Sequence, residues 1–310
     1  MSRLGALVLA LVAAMAVADG ARNAPPVRAA TAGPRADFAA YRGGVPVLLY
    51  HRLTPSTREY TVAPSTFEAQ MGRLHDLGFE AITLRQYVRF MSGEAVDLPR
   101  RPFLITFDDG YPSAWKHADP VLARYGWSAV MYVATGLVGR PGIVTWDDLR
   151  QMRQSGRWQI DVHAGNGHVL VAADESGRRR PFYAAEMWAG GRKESFAHYR
   201  RRVSNDIDVG LAALARNLPG WASYGSFAVP FGNYGQNGSN DPRIEPWFRA
   251  HLERRFAVVF VQRDDSFTKP GQAFANRIAV SSRWTGVTLQ RRLLRGLARL
   301  KASARAGRPG

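Results

Sequence analysis

Seven short apolar runs punctuate the chain: Val45 to Tyr50, Phe103 to Phe107, Ala129 to Val133, Trp158 to Val162, Ser226 to Val229, Ala257 to Val261 and Arg277 to Val280. Each is rich in β-branched, aromatic or aliphatic residues and has the length of a buried strand. Helical signals lie between them. Ser65-Thr66-Phe67-Glu68 reads as a capping box for a helix stopping at Gly78, and Thr83-Leu84-Arg85-Gln86 as a second box opening the next. Tyr111 to Tyr125 stops at Gly126, and Trp146 to Ser155 at Gly156, each with glycine where a left-handed cap is wanted. Strands alternating with helices predict parallel βα units. That alternation fits a closed or nearly closed α/β barrel and an open doubly wound sheet alike, and no Gly-rich phosphate loop follows the first strand.

Two stretches look inserted, Val169 to Ser195 with its basic run Arg178-Arg179-Arg180, and Asn233 to Pro242. Polar loops of this kind are either substrate-binding elements or plain solvent loops. Near the end, Leu289, Leu293, Leu294, Leu297 and Leu300 fall at helical spacing, as in a core-covering helix. Residues 301–310 have no pattern and read as a disordered basic tail.

The first residues differ in kind from the rest. Ser2-Arg3 is a basic start, Leu4 to Val17 an apolar run, and Ala16-Val17-Ala18 a cleavage signal. A signal peptide over 1–18 and a secreted or cell-envelope chain beginning at Asp19 are expected; the apolar run is shorter than the roughly 20 residues that span a bilayer. Residues 19–44 are rich in Ala, Pro, Gly and Arg and read as a flexible linker. One domain over 45–300 then accounts for the remainder.

Composition narrows the chemistry. The chain has 310 residues, 46% of them hydrophobic, enough for a barrel-sized core. The absence of cysteine excludes a disulfide framework and a thiolate-ligated metal. A formal charge of +17 suggests nucleic acid, but the basic residues scatter over helix faces and the tail, and no nucleic-acid motif accompanies them. Association with an anionic cell-envelope surface and a merely solvated basic surface both fit that charge. No protein partner is implied.

The chemically loaded residues are Asp108 and Asp109, at the end of the second apolar run, and His163 and His168, after the fourth. At a strand-to-loop transition two neighbouring carboxylates can diverge, one towards a cation and one towards a water. The Ala-Gly-Asn-Gly segment between the histidines reads as flexible enough to turn both rings to one ion. Three ligands of the His-His-Asp type leave positions open for water and substrate, as catalytic zinc sites do. Taken separately, the histidines read as surface residues and the Asp pair as a helix-capping turn. His75, His117, His198 and His251 lie in expected helices without ligand spacing.

Together these residues resemble the polysaccharide deacetylase family, also called NodB-homology or carbohydrate esterase family four. Thr106-Phe107-Asp108-Asp109-Gly110 matches the family's first motif in full. The resemblance implies that Asp108 is the base and Asp109 a metal ligand. In the second motif the histidines are usually three residues apart; the gap of four between His163 and His168 is similar to the poly-N-acetylglucosamine deacetylase branch, associated with biofilm exopolysaccharide. Ala228-Val229-Pro230-Phe231-Gly232 is similar to the third motif, Arg-x-Pro-Tyr-Gly. It implies an oxyanion-stabilising backbone N–H from Phe231, but Ala228 stands where the family has the arginine that orients its base. Arg277, on a late strand, is the candidate replacement. The family's final Leu-x-His motif is missing near the C-terminus, and Leu49-Tyr50-His51 resembles it at the first strand, as in the permuted branch. That makes His51 the general acid.

The resemblance covers about Val45 to Val280 and implies a distorted (β/α)7-type barrel with permuted motif order. It also implies a divalent ion, zinc foremost with cobalt, nickel or iron as alternatives, and an N-acetylglucosamine polysaccharide as substrate. Three functions fit: a secreted N-deacetylase, a carbohydrate O-acetyl esterase on the same site, and a silent glycan-binding module, the last suggested by the missing arginine.

Overall fold

In the computed structural model, which describes residues 43–56 and 58–306, all seven apolar runs form strands. They are β1 (Val47–Tyr50), β2 (Pro102–Asp108), β3 (Ala129–Ala134), β4 (Trp158–Ala164), β5 (Ser226–Ala228), β6 (Val258–Gln262) and β7 (Phe274–Ala279). All pair in parallel, in the order β5-β6-β7-β1-β2-β3-β4, and the two-residue strand Glu80–Ala81 pairs with the start of β2. The sheet therefore curls into a nearly closed barrel in which the first and last of the seven are neighbours, Leu48 beside Ile278. The open doubly wound alternative is excluded.

Residues of alternating strand positions divide between two apolar layers. Leu48, Ile105, Phe107, Met131, Val133, Ile160 and Val162 belong to the outer layer, against the helices. Val47, Leu104, Val130, Ala228, Val258, Phe260 and Ala275 fill the interior. This is the period of two expected of pleated strands buried on both faces. At the opposite end from the site, helix α2 (Leu84–Met91) inserts Leu84, Tyr87 and Met91 into the interior cluster. Thr83 and Gln86 form its expected reciprocal cap, worth about 1 kcal/mol.

The seam between β4 and β5 carries no backbone ladder among the described residues, and side chains bridge it instead. Ser226 donates to Asp161 Oδ2 (2.7 Å), the Trp221 indole to the Ile160 carbonyl (2.7 Å), and His163 Nδ1 lies 2.7 Å from the Ala228 carbonyl. Burial pushes the Asp161 carboxyl up to about 7, against the opposing pull of its hydrogen bonds.

Some boundaries differ from expectation. Helix α1 (Pro64–Asp76) starts with Pro64 in its first turn after an extended Ala63, and Ser65 caps nothing. Proline's fixed φ suits that first turn, so it sets the start in place of the capping box. Helix α3 (Pro112–Tyr125) ends on left-handed Gly126, α4 is Trp146–Gln154, and two further helices, α5 (Phe196–Asn217) and α6 (Ile244–Glu253), precede β5 and β6 respectively. Helix α7 (Gly286–Ala306) continues into the segment read as an unpatterned tail, which corrects its start. The 169–195 insertion contains two small antiparallel hairpins, and Asn240 from the 233–242 loop bonds to its Ala173 and Glu186 carbonyls at 2.7 Å each. The expected leader and its cleavage site lie outside the described residues. No helix among the described residues is long and apolar enough to cross a membrane.

Candidate metal centre and catalytic pocket

Because interior positions alternate, the polar residues at the strands' C-terminal ends converge. Asp108 ends β2, His163 lies inside β4 one residue before its end, and Arg277 is near the end of β7. Asp109 and Gly110 follow β2 with φ of 74° and 83°, a pair of left-handed residues that turns the chain sharply and lets the adjacent carboxylates diverge. A Cβ at Gly110 would stand 3.1 Å from Val144, so this turn favours glycine twice over.

His51, Asp108, Asp109, His163, His168 and Phe231 all line one open cavity of about 380 Å³, together with Arg52, Tyr60, Tyr111 and Gln262. His163 and His168 present Nε2 to Asp109 Oδ1 at 3.5 and 3.2 Å. That oxygen is buried and accepts no hydrogen bond. A tetrahedral ion with bonds of about 2.0–2.2 Å holds its ligand atoms roughly 3.3–3.6 Å apart, close to both of these carboxylate–imidazole distances. His163 Nδ1 is engaged by the Ala228 carbonyl, which fixes the tautomer that leaves Nε2 free. The three donors, mutually within 4.8 Å, thus suit a cation in identity, spacing and tautomer.

The electrostatics agree. Burial opposes charge on every member, yet Asp108 and Asp109 outweigh it at His163 and raise its pKa. Burial likewise pushes Asp109 up, but the neighbouring imidazoles hold it below the carboxylate range. The field that favours a proton on His163 is one that favours a metal cation. His168 is lowered, by burial and then by His163. Its ring stacks on Phe231 at 4.7 Å and 14°, and Phe231, with φ of 59°, keeps its side chain exposed.

Asp108 is held differently. Arg277 donates from its two terminal nitrogens to the two carboxylate oxygens, at 2.7 and 2.6 Å, with both residues buried. Burial pushes Asp108 up, and Arg277 followed by His163 overcomes it, so the carboxyl stays below its usual range. The guanidinium also lies 5.7 Å from the Tyr132 and Phe260 ring centres. His51 follows β1 at the same cavity; its buried Nδ1 has no hydrogen-bond partner, and burial lowers its pKa despite Asp108 and Asp109.

Residues 95–237 match the family model described as polysaccharide deacetylase. That segment, a little under half of the chain, is similar to the polysaccharide deacetylase family. Named relatives agree. The poly-beta-1,6-N-acetyl-D-glucosamine N-deacetylase of Escherichia coli (strain K12) is 28% identical over 166 residues, 48% of this chain and 25% of that protein. The enzyme of the same name from Staphylococcus aureus (strain MRSA252) is 27% identical over 124 residues, 38% of this chain and 42% of that protein. The chain thus spans less than half the length of these curated relatives. The solved structure of a de-N-acetylase from Aggregatibacter actinomycetemcomitans has the same fold as this chain, with a TM-score of 0.69 over 80% of this chain and 99% of that one at 22% identity.

His51, Asp108, Asp109, His163, His168 and Phe231, all singled out in the sequence, meet in this one cavity. The 164–167 segment differs from expectation: it is pinned, with Gly165, Asn166 and Gly167 all donating backbone hydrogen bonds to Asp206 on α5. Asp206 escaped sequence reasoning, although its position on a helical face with Tyr199, Val203, Ile207, Gly210 and Leu214 was a usable signal.

Proposed function

We propose that the domain is a secreted, metal-dependent N-deacetylase that removes acetyl groups from N-acetylglucosamine-containing polysaccharide. One observation carries this reading: a three-ligand donor set stands beside a separate, guanidinium-held carboxylate in a single open cavity. The names of the relatives support the substrate class.

Asp109, His163 and His168 would hold the ion, with zinc foremost and cobalt, nickel or iron as alternatives. A divalent cation there supplies Lewis acidity to the acetyl carbonyl and the attacking water. Asp108, kept ionised and oriented by Arg277, accepts the proton of that water. The Phe231 backbone N–H stabilises the developing oxyanion. His51 delivers a proton to the departing amine, a step general acids accelerate by about 10²- to 10⁴-fold. Burial lowers its pKa, which makes the protonated ring a stronger acid.

The same lowered pKa favours a second reading, an O-acetyl esterase, because an alkoxide departs with less help from an acid than an amine does. The silent-module reading loses its motive, since Arg277 supplies the guanidinium that Ala228 does not.

Incubating the purified protein with an N-acetylglucosamine oligomer and with an O-acetylated sugar, while measuring free amine and acetate, separates the readings. Amine release that stops with a chelator and returns with zinc is expected. Ester cleavage alone selects the esterase, and turnover by metal-free protein overturns the metal dependence. Secretion is tested by N-terminal sequencing of the protein recovered outside the cytoplasm, where a start at Asp19 is expected.

A further inference from the structure

Helix α5 turns Tyr199, Val203, Asp206, Ile207, Gly210 and Leu214 inward, and Asp206 is the one charged residue of that buried set, 5% exposed. A buried carboxylate costs several kcal/mol unless it is well hydrogen-bonded. Here Oδ2 accepts from the amides of Gly165 (3.0 Å) and Gly167 (3.1 Å) and from the Tyr183 hydroxyl (2.5 Å), while Oδ1 accepts from the Asn166 amide (2.7 Å). Three successive amides closing on one anion form a nest. A carboxylate, acceptor-only with about four lone-pair sites, matches four donors; an asparagine has one accepting oxygen.

The glycines follow from the same contact. A Cβ on Gly167 would stand 2.7 Å from Asp206 Oδ2, and one on Gly165 would collide with the Asp206 main-chain oxygen. They permit close approach to the carboxylate, and the segment they form is the link between His163 and His168.

We infer that Asp206 is a positioning residue for the metal centre: by gripping the backbone between the two histidines it sets where His168 stands relative to His163 and Asp109. His163 is inside a strand and anchored by the Ala228 carbonyl. His168 is outside the strand, 21% exposed at its side chain, and its place depends on the backbone that carries it. The inference rests on the reading of Asp109, His163 and His168 as ligands.

Zinc affinity, by competition with a chromophoric chelator, and the visible spectrum of the cobalt-substituted protein test it without reference to turnover. Asp206→Asn should remain folded by circular dichroism, weaken zinc by about 10- to 100-fold, the usual range for residues supporting metal ligands, and alter the cobalt spectrum. Asp206→Glu restores the charge and all acceptor sites and should recover part of that loss. Leu214→Ala loosens the same helix face without touching the loop and should keep wild-type affinity and spectrum. Unchanged zinc binding in Asp206→Asn overturns the inference, as does an equal loss in Leu214→Ala. If Asp206→Asn does not fold, Asp206→Glu decides: a displaced carboxylate with unchanged affinity and spectrum overturns the inference, and a smaller but definite loss supports it. A wild-type protein that binds neither zinc nor cobalt defeats the ligand assignment itself, a result distinct from the others.

Discussion

Arg277 and Asp108, 169 residues apart in sequence, meet as a buried two-pronged ion pair, two nitrogens facing two oxygens. The arginine comes from β7, and the family's third-motif position is Ala228 on β5, so the guanidinium reaches the same carboxylate from another strand. Such a fork fixes the plane of the carboxylate as well as its charge.

Replacing Arg277 by Met should therefore reduce kcat/KM on an N-acetylated oligomer by about 10²-fold or more, the scale of general-base assistance, with zinc binding retained. It also leaves Asp108 buried without its counter-ion, a defect of about 3–5 kcal/mol visible as a lower melting temperature. Because Arg277 is what overcomes burial at Asp108, the acid limb of the pH–rate profile should move to higher pH in the variant. An unmoved limb means that Asp108 is not the group titrating there.

Asp109→Ala and His163→Ala should lose zinc, measured by elemental analysis after dialysis, whereas Asp108→Asn should keep it and lose turnover. Only the first two are proposed as ligands. Loss of the metal from Asp108→Asn reverses the division of labour between the two carboxylates.

For His51→Ala, amide hydrolysis should fall by about two to four orders of magnitude with the metal still bound, as for loss of a general acid. Aryl-acetate hydrolysis should fall far less, since a phenolate departs with little protonation. Equal losses on both substrates indicate a binding role for His51.

A stability effect of pH is expected far from the site. His251 is lowered to about 4, by burial and then by Arg255 and Arg254, and its ring stacks on Trp247. Between its unfolded pKa, about 6.5, and its folded value, only the unfolded chain takes the proton. Its contribution is therefore complete above the unfolded pKa and is lost as pH falls towards the folded one. His251→Gln should flatten the melting temperature between pH 6.5 and 4, most clearly at low salt, and an unchanged slope assigns that acid sensitivity elsewhere.

The strands were legible because both faces of each are buried, which writes them as continuous apolar runs. The Asp pair, the two histidines and His51 were legible as motifs, and one cavity collects them. Arg277 was visible only as a late-strand candidate; its partner follows from strand order and inward alternation, neither of which is local in sequence. Asp206 was hidden because its function lies in three main-chain amides, which have no sequence signature of their own. Its trace is a charged residue among the apolar positions of α5. The start of α1 was misread because Ser65 and Glu68 satisfy the capping pattern, while Pro64 beside them is the stronger constraint.

The strand order also dictates when the pocket can exist as the chain is made. β1 to β4 and the loops after them come from the first half of the fold and already supply His51, both aspartates, His163 and His168, but that partial sheet has two raw edges, at β1 and β4. The β1 edge waits for β7, and the β4 seam waits for β5. Until residue 277 emerges, Asp108 has no guanidinium to neutralise it. An arrested chain ending after α5 would thus expose two strand edges of the kind that recruit other chains. His163 and His168 would be present in that fragment, and the Arg277–Asp108 pair would not.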